Sequence, residues 1–307
     1  MSEAGAGTCP GGWLIIDKPT GITSSRVVER VRRATGMKAG HAGTLDPAAT
    51  GILPVALGEA TKTVGFISKT EKRYSFSIRW GIATDTEDSE GATIAESPIR
   101  PDATAIREML PRFIGMIAQR PPAYSAIKIA GRRAYALARA GKPTPLAERQ
   151  IMIAALELTA LPDPDHADFT ALVGEGTYIR ALARDIAEAL GTCGHVVALR
   201  RLSVGRFTEA QAISLDLATT LGHSLFASGH VLPIEAALDD IPALALTADE
   251  AARLRYGQAI ALAGFGEGAR LDRFDDGTIV GALHDQLLVG LARIENGRLL
   301  PVRMINY

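Results

Sequence analysis

The chain has 307 residues, of which 47% are hydrophobic and 22% charged, a composition that excludes an intrinsically disordered protein. Its longest apolar runs fall far short of the roughly 20 residues that a membrane-spanning helix needs. Residues 1–12 lack the basic and apolar regions of a signal peptide. We therefore expect a cytoplasmic protein with one large domain and a smaller companion.

The cysteines and histidines predict no disulfide framework and no metal site. Cys9 and Cys193 are too few for either a set of disulfides or a four-cysteine zinc site. The six histidines are not spaced as metal ligands are. We expect both thiols to be ordinary residues of a reducing compartment.

The formal net charge is −1, but the charges are unevenly distributed. Residues 11–80 hold 11 basic and 5 acidic side chains, residues 112–149 hold 8 and 1, and residues 178–206 hold 5 and 2. The rest of the chain is strongly acidic. Three basic segments in a dipolar chain favour a face that binds a polyanion, rather than scattered solvated charges.

The first half of the chain predicts alternating strands and helices. After a Gly-rich tail, residues 13–16 form an apolar run typical of a buried strand. Residues 17–21 predict a turn, and residues 23–25 cap a helix that ends at Gly36. A strand at 74–80 and helices at 102–113 and 134–140 follow.

The second half predicts two more strands, a helix and a small separate unit. Residues 151–161 and 169–173 are β-like, and residues 178–190 place apolar side chains on one helical face. The stretch 234–246, which contains Pro242, predicts a linker. A helix at 248–254 then precedes short strands around the turn at Asp275-Asp276-Gly277.

Residues 40–54 are the most informative stretch, with three glycines and two prolines. They contain no run that predicts a long strand or helix, so we expect a rigid loop of the kind that often carries function. Asp46 lies at its centre, directly before Pro47. An Asp in this position is more often a turn-forming carboxylate than a catalyst, so composition alone leaves its role open.

This stretch does not match other common active-site motifs. Gly51 and Gly58 are separated by six residues, whereas a phosphate-binding loop has four between its glycines and then Gly-Lys-Ser/Thr. The chain also has no Gly-x-Ser-x-Gly elbow. A small-molecule hydrolase that uses Asp46 and His41 would lack a second positioned acid or nucleophile, and would leave the basic segments unexplained.

Several ordered motifs together resemble the signature of the TruB family of tRNA pseudouridine synthases. The resemblance covers roughly residues 12 to 210. The matching motifs are GHAGTLDP at 40–47, followed by Gly51, Leu53, Gly58 and ATK at 60–62; KRY at 72–74; TDT at 84–86 with Gly91; PAYSAIK at 122–128 with GRRAY at 131–135; GTYIR at 176–180; and LRR at 199–201.

The resemblance implies an α+β fold in two domains. A mixed, mostly antiparallel catalytic domain spans residues 12–240, with a basic insertion at about 112–149 and a flexible tail at 1–11. Residues 246–304 are similar to a PUA domain, a small β-barrel-like RNA-binding module. That similarity is carried by Gly257-Gln258, the turn at 275–277, and the segments IVGA at 279–282 and LLPVR at 299–303.

The resemblance also implies the chemistry, which is the isomerisation of the T-loop uridine at tRNA position 55 without a cofactor. It assigns Asp46 as the essential carboxylate and Arg180 as its counter-ion. Tyr74 would stack on the flipped-out base, and Tyr178 would lie beside that base and remove its C5 proton late in the reaction. Attack on C6, attack on C1′ and formation of a glycal remain open as the first step.

The remaining implied residues contact RNA. His41 would insert into the RNA, and Leu199 would pack on the other side of the uracil. Phosphates would be bound by Lys18, Lys62, Lys128, Arg132 and Arg133, so affinity should fall steeply with salt. One departure is Glu175, which stands where the family often has a basic residue and removes one expected phosphate contact.

The implied partner is tRNA, through its T-arm stem-loop, with no guide RNA, no metal and no obligate protein partner. A second hypothesis is a tRNA folding chaperone on the same scaffold, which would bind and refold tRNA independently of catalysis. Asp46 discriminates between the two, because only the enzyme needs its carboxylate.

Overall fold

The computed structural model describes residues 11–125, 146–238, 241–261 and 274–306 in full, and the backbone at 128–129 and 132–133. The predicted helix at 134–140 and the side chains of Lys128, Arg132 and Arg133 lie outside the described residues. Within the described part of the chain, no helix combines the length and the apolar character that a membrane span requires.

The described residues form strands and helices that alternate along the chain. The strands are β1 Gly11–Lys18, β2 Ala39–His41, β3 Thr50–Gly58, β4 Lys72–Trp80, β5 Ile82–Thr84, β6 Thr93–Glu96, β7 Gly115–Gln119, β8 Lys128–Ile129, β9 Arg132–Arg133, β10 Arg149–Asp163, β11 His166–Val173, β12 Gly194–Val204, β13 Phe207–Thr208, β14 Ile213–Ser214, β15 Val231–Leu232, β16 Ala243–Ala245, β17 Ile260–Ala261, β18 Ile279–His284, β19 Leu287–Glu295 and β20 Arg298–Met304. The α-helices are α1 Ser24–Thr35, α2 Val64–Ile67, α3 Ala103–Met109, α4 Ile179–Ala189, α5 Leu215–Leu221 and α6 Ala248–Arg255.

The larger sheet is mixed and mostly antiparallel, as predicted. Its central path runs β14-β1-β3-β12-β4-β11-β10-β7, and β2, β13 and β15 pair beside it. Only the β1–β14 and β3–β12 pairs of this sheet are parallel among the described strands. Together with the helices that pack on it, this sheet gives this part of the chain its mixed α/β character.

Strand β1 is apolar on both faces because the sheet is covered on both sides. Leu14 and Ile16 pack into the core that also contains residues of α1 and α4. Trp13 and Ile15 point the other way, into a second apolar cluster. All four side chains are fully buried, which confirms the predicted buried strand.

The predicted helices flanking the site are confirmed with their ends. Thr23 caps α1 by accepting a hydrogen bond from the Arg26 amide, and Gly36 ends it at a φ of 66°. Helix α4 begins at Ile179 and buries Ile179, Leu182 and Ile186 against the sheet. These two helices therefore lie on the face of the sheet that carries the main core.

The prediction for residues 40–54 was wrong in one respect, because residues 50–54 belong to the nine-residue strand β3. Pro54 lies inside that strand, paired with Ile15. Its carbonyl accepts a hydrogen bond from the Ala42 amide on the side away from β1, so its missing N–H also faces that side. The proline therefore costs no hydrogen bond between β1 and β3.

The predicted small β-rich unit is a second, five-stranded sheet in the order β16-β18-β19-β20-β17. Helix α6 packs on it and begins with a capping box between Thr247 and Glu250. The prediction of a linker at residues 234–246 is partly wrong, because Ala243–Ala245 forms β16 and pairs in parallel with β18.

The second sheet packs directly against the back of the first. Leu288, Leu291 and Ile305 share one buried cluster with Trp13 and Ile52 of the large sheet. This contact buries apolar surface behind β3, the strand that begins where the Asp46 loop ends. The two sheets are therefore joined by a hydrophobic core as well as by the chain.

We expect Leu291→Ala to lower the free energy of unfolding by about 2–5 kcal/mol, because it opens a cavity in this shared cluster. Leu287→Ala on the same strand is the matched control, since Leu287 is 53% exposed, and it should cost less than about 0.5 kcal/mol. Urea unfolding followed by tryptophan fluorescence measures both. Equal losses for the two variants would contradict the packing described.

Candidate active site

Asp46 lies in the loop between β2 and β3, with its side chain 40% exposed. Its own backbone carbonyl accepts a hydrogen bond from the Ala49 amide, which closes a tight turn around Pro47. The neighbouring Leu45 and Ala49 are buried in the main core. The loop is thus anchored by its apolar residues, while the carboxylate stays accessible from solvent.

Buried polar side chains hold the backbone on both sides of Asp46. The Ser24 hydroxyl donates to the Leu45 carbonyl at 3.0 Å and accepts from the Leu45 amide at 2.8 Å. The Pro47 carbonyl accepts from the Gly21 amide at 2.8 Å and from the Lys18 ammonium at 3.1 Å. These contacts fix the residues before and after the catalytic candidate.

Arg201 ties the loop to the sheet from below. It is 1% exposed and donates to the carbonyls of Ile52 at 2.7 Å and Gly43 at 3.0 Å. Gly51 has a φ of 97°, and a Cβ there would lie 2.2 Å from the Arg201 carbonyl oxygen. A glycine is therefore required at residue 51 for β3 to approach β12 this closely.

Arg180 pairs with Asp46, as the family resemblance implied. Its Nε lies 2.9 Å from Asp46 Oδ2, and its side chain is 6% exposed. The other two nitrogens donate to the backbone carbonyls of Thr86 at 2.7 Å and Tyr124 at 2.9 Å, and Asp88 lies 3.6 Å from Nε. Each of its three nitrogens thus has a hydrogen-bond acceptor, which holds the guanidinium in one orientation.

Tyr178 immediately precedes α4, two residues before Arg180. Its backbone amide and carbonyl both bond to the side-chain amide of Gln119, at 2.9 and 3.1 Å. The Arg149 guanidinium lies over its ring, 5.0 Å from the centroid, and also donates to the Gly176 carbonyl. The ring is therefore held from the backbone side and from one face.

Tyr74 lies in a row that crosses the sheet through Gly51, Arg201 and Tyr74 on neighbouring strands. It is 8% exposed and packs in the same core as Leu45 of the loop. Leu199, two residues before Arg201 on β12, packs partly buried against that core. Both side chains are thus near the loop, and their contacts with a base stay predictions.

His41 ends β2 opposite Val55, at the entrance of the loop. Burial, and secondly the charge of Arg201, lower the pKa of its imidazole below the ordinary 6.5. The ring is therefore neutral at pH 7. A neutral imidazole can pack against bases, so its charge state is compatible with the insertion into RNA, which stays a prediction.

Lys18 requires a correction, because it cannot reach a phosphate as we predicted. It is fully buried, and its ammonium donates to the carbonyls of Pro19, Ile22 and Pro47 at 2.8–3.1 Å. Burial lowers its pKa from 10.5 to about 8, against a smaller raising effect of the Asp46 charge. Lys18 is therefore a structural cation beneath the loop.

Lys62 is also engaged within the protein. Its ammonium bonds Glu59 at 2.6 Å and the Met304 carbonyl of β20 at 2.7 Å, and its side chain is 28% exposed. This contact joins β20 of the second sheet to the helical turn at Glu59–Lys62 that follows β3. Its phosphate contact stays a prediction, as do those of Lys128, Arg132 and Arg133, whose side chains lie outside the described residues.

Sequence reasoning missed the residues that support the Asp46–Arg180 pair. Ser24 and Arg201 looked like a helix cap and a member of a basic motif. Gln119 bonds the backbone of Tyr178, which is 59 residues away in the sequence. The Tyr124 carbonyl accepts from Arg180, which is 56 residues away, so no local pattern marks either residue. The motif around Thr86 marked its importance, but only the fold shows that its carbonyl binds Arg180.

The fold is that of a pseudouridine synthase. A chain in an H/ACA ribonucleoprotein bound to a substrate RNA containing 2′-deoxyuridine superposes with a TM-score of 0.72 at 22% identity, covering 96% of this chain and 85% of that one. A chain of a Cbf5–Nop10–Gar1 complex gives a TM-score of 0.72 at 25% identity, covering 96% and 84%.

Sequence comparisons define the family. The model for the N-terminal domain of TruB family pseudouridylate synthases matches residues 30–179, and the tRNA pseudouridylate synthase B C-terminal domain matches residues 180–239. The protein named tRNA pseudouridine synthase B of Rhodospirillum rubrum is 50% identical to this chain over the full length of both. The protein of the same name of Caulobacter vibrioides is 48% identical to this chain over 99% of both. The chain belongs to the TruB family of pseudouridylate synthases.

The buried Lys18 predicts a specific pH dependence of stability. Between pH 8 and 10.5 the unfolded chain keeps the Lys18 proton while the folded chain has lost it. The contribution of Lys18 to the free energy of unfolding therefore rises with pH in that window. The free energy of unfolding of the unaltered protein, minus that of Lys18→Met, should therefore increase from pH 8 to 10.5. Chemical denaturation measures it, and a constant or falling difference would contradict the assignment.

Proposed function

We propose that this enzyme isomerises the T-loop uridine at tRNA position 55 to pseudouridine, with Asp46 as its covalent or acid–base catalyst and no cofactor. The ion pair between Asp46 and the buried Arg180 carries the proposal. The relatives named tRNA pseudouridine synthase B, aligned end to end, support tRNA as the substrate.

The reaction breaks the N1–C1′ glycosidic bond, rotates the uracil and rejoins it to the ribose through C5. The product is an isomer of the substrate: C5 loses a proton, N1 gains one, and nothing is oxidised or reduced. The chemistry therefore calls for a positioned carboxylate rather than an electron carrier. Because the hydrogen bond from Arg180 uses Asp46 Oδ2, the other carboxylate oxygen is left to approach C6, C1′ or the ribose proton.

A stacked uridine cannot reach Asp46, so the nucleotide must swing out of the folded RNA. Tyr74 and Leu199 lie on neighbouring strands of the sheet beside the loop, which suits them to sandwich the uracil. Tyr178 sits two residues from Arg180 and is our candidate for removing the C5 proton. His41 would fill the space that the flipped nucleotide leaves.

We assign the rest of the chain to holding the RNA. Residues 12–240 form the catalytic domain, its basic insertion at 112–149 closes on the T arm, and residues 246–304 form a PUA-like domain. The five-stranded curled sheet of β16–β20 supports the latter. We further propose that the enzyme works in the cytoplasm on tRNA without guide RNA or a protein partner.

A direct test incubates the purified protein with an unmodified T-arm stem-loop, without guide RNA or added metal, and maps pseudouridine by sequence position. We expect product at the T-loop uridine that corresponds to tRNA position 55. A stem-loop with cytidine at that position is the control and should stay unmodified. Tight binding with no product would instead favour the folding chaperone.

Asp46→Asn should lower the isomerisation rate by at least roughly 10⁴-fold, because an amide can neither attack nor accept the proton. Binding and refolding of tRNA should stay near normal. Asp216→Asn, which removes an exposed carboxylate paired with Arg30, is the control and should keep full activity. Residual activity of Asp46→Asn near that of the control would refute the catalytic role.

A further inference from the structure

Arg184 lies one helical turn after Arg180 on α4 and binds the same two neighbouring segments. Arg180 donates to the Thr86 carbonyl and the Tyr124 carbonyl. Arg184 donates to the Glu87 carboxylate at 2.5 Å and to the Arg120 carbonyl at 2.9 Å. Residues four apart lie on the same face of a helix, so both guanidiniums face the same neighbours.

Those neighbours are two segments, which we call the acidic loop (residues 84–91) and the strap (residues 120–125). Each arginine binds the acidic loop with one end of its guanidinium and the strap with another. The two arginines together therefore hold the acidic loop and the strap against α4. Arg180 alone reaches on to Asp46.

Glu87 is held in a conformation that needs support. Its φ of 62° lies in the left-handed region, which a residue with a side chain adopts at a cost. Its carbonyl accepts from the Val196 amide at 3.1 Å, which fastens the acidic loop to β12. Its side chain is 15% exposed and turns inward to Arg184.

The Glu87–Arg184 ion pair is largely shielded from solvent. Burial raises the pKa of the Glu87 carboxyl, while the Arg184 charge acts in the opposite direction. Among the described residues, the Glu87 Oε2 atom is buried without a hydrogen-bond partner. The carboxylate thus depends on Arg184, whose side chain is 14% exposed and also contacts Asp185 at 2.7 Å.

We propose that Glu87 and Arg184 are positioning residues, which hold the acidic loop and the strap so that Arg180 presents Asp46 to the nucleotide. This proposal rests on the catalytic role proposed for Asp46. The chain of contacts is continuous: Arg184 fixes Glu87 and Arg120, these set the neighbouring Thr86 and the strap, and the carbonyls of Thr86 and Tyr124 orient Arg180.

The test measures kcat, KM for the T-arm stem-loop and melting temperature for Glu87→Gln, Arg184→Gln and Arg184→Lys. We expect kcat to fall roughly 10- to 100-fold in the two Gln variants, since small displacements at a reacting group cost this much. KM should stay unchanged, because neither side chain is proposed to touch RNA. Arg184→Lys should lie between, as an ammonium keeps the charge but not the fork that also reaches Arg120.

The double variant Glu87→Gln/Arg184→Gln separates positioning from stability. Arg184→Gln leaves a buried carboxylate unpaired and should lower the melting temperature, whereas the double variant removes that charge and should recover it. We expect kcat to stay low in the double variant, no lower than in the worse single variant, because one device is lost in each case.

Arg100→Gln is the matched control. Arg100 also bonds one carboxylate, that of Asp165, and two carbonyls, those of Ser97 and Ile99. Its partners are not among the residues that bond Arg180 or Asp46. We expect its kcat to equal that of the unaltered enzyme.

Two outcomes overturn the proposal while leaving the proposed function intact. One is a kcat for Glu87→Gln and Arg184→Gln close to that of the Arg100→Gln control, with Asp46→Asn inactive. The other is a kcat that recovers with melting temperature in the double variant, which would make the pair merely stabilising. If Asp46→Asn itself retains full activity, the proposed function fails first.

Discussion

The buried guanidinium of Arg180 is the constraint on which the site depends. A charge that is 6% exposed must be met by anions and dipoles on every side. Here Asp46, the Thr86 carbonyl and the Tyr124 carbonyl come from three different segments. The hydrogen bonds of Arg180 therefore bring these three segments together. They also hold the partly exposed Asp46 carboxylate in a fixed position.

Much of this arrangement follows from local sequence. The apolar run at 13–16, the capped helix ending at Gly36 and the one-faced pattern of 178–190 each predicted an element that the structure contains, because burial and capping act over a few residues. The Asp46–Arg180 pair came instead from the family resemblance. Composition alone favoured a turn-forming Asp; Asp46 does lie in a tight turn, but its backbone carbonyl closes that turn while its carboxylate pairs with Arg180.

Both errors arise because the folded chain buries residues that their local sequence marks as exposed or irregular. Lys18 looks like any basic residue at the end of a strand, yet the carbonyls of Pro19 and Ile22 in the following turn and of Pro47 in the Asp46 loop surround its ammonium and make it a buried cation. Residues 50–54 look like loop because of Gly51 and Pro54, but pairing with β1 makes them a strand. Interior positions of charged side chains are set by tertiary structure, which local pattern does not encode.

The most direct test of the account is a crystal structure of the enzyme with a T-arm stem-loop that carries 5-fluorouridine at the target position. Fluorine at C5 blocks the proton loss that completes the reaction, so the nucleotide should be caught in the site. We predict a base swung out of the RNA, bonded to or touching the Asp46 carboxylate, with Arg180 still paired to it and Tyr74 against the ring. A target nucleotide that stays stacked in the loop, or that is flipped to a place remote from Asp46, would contradict the account.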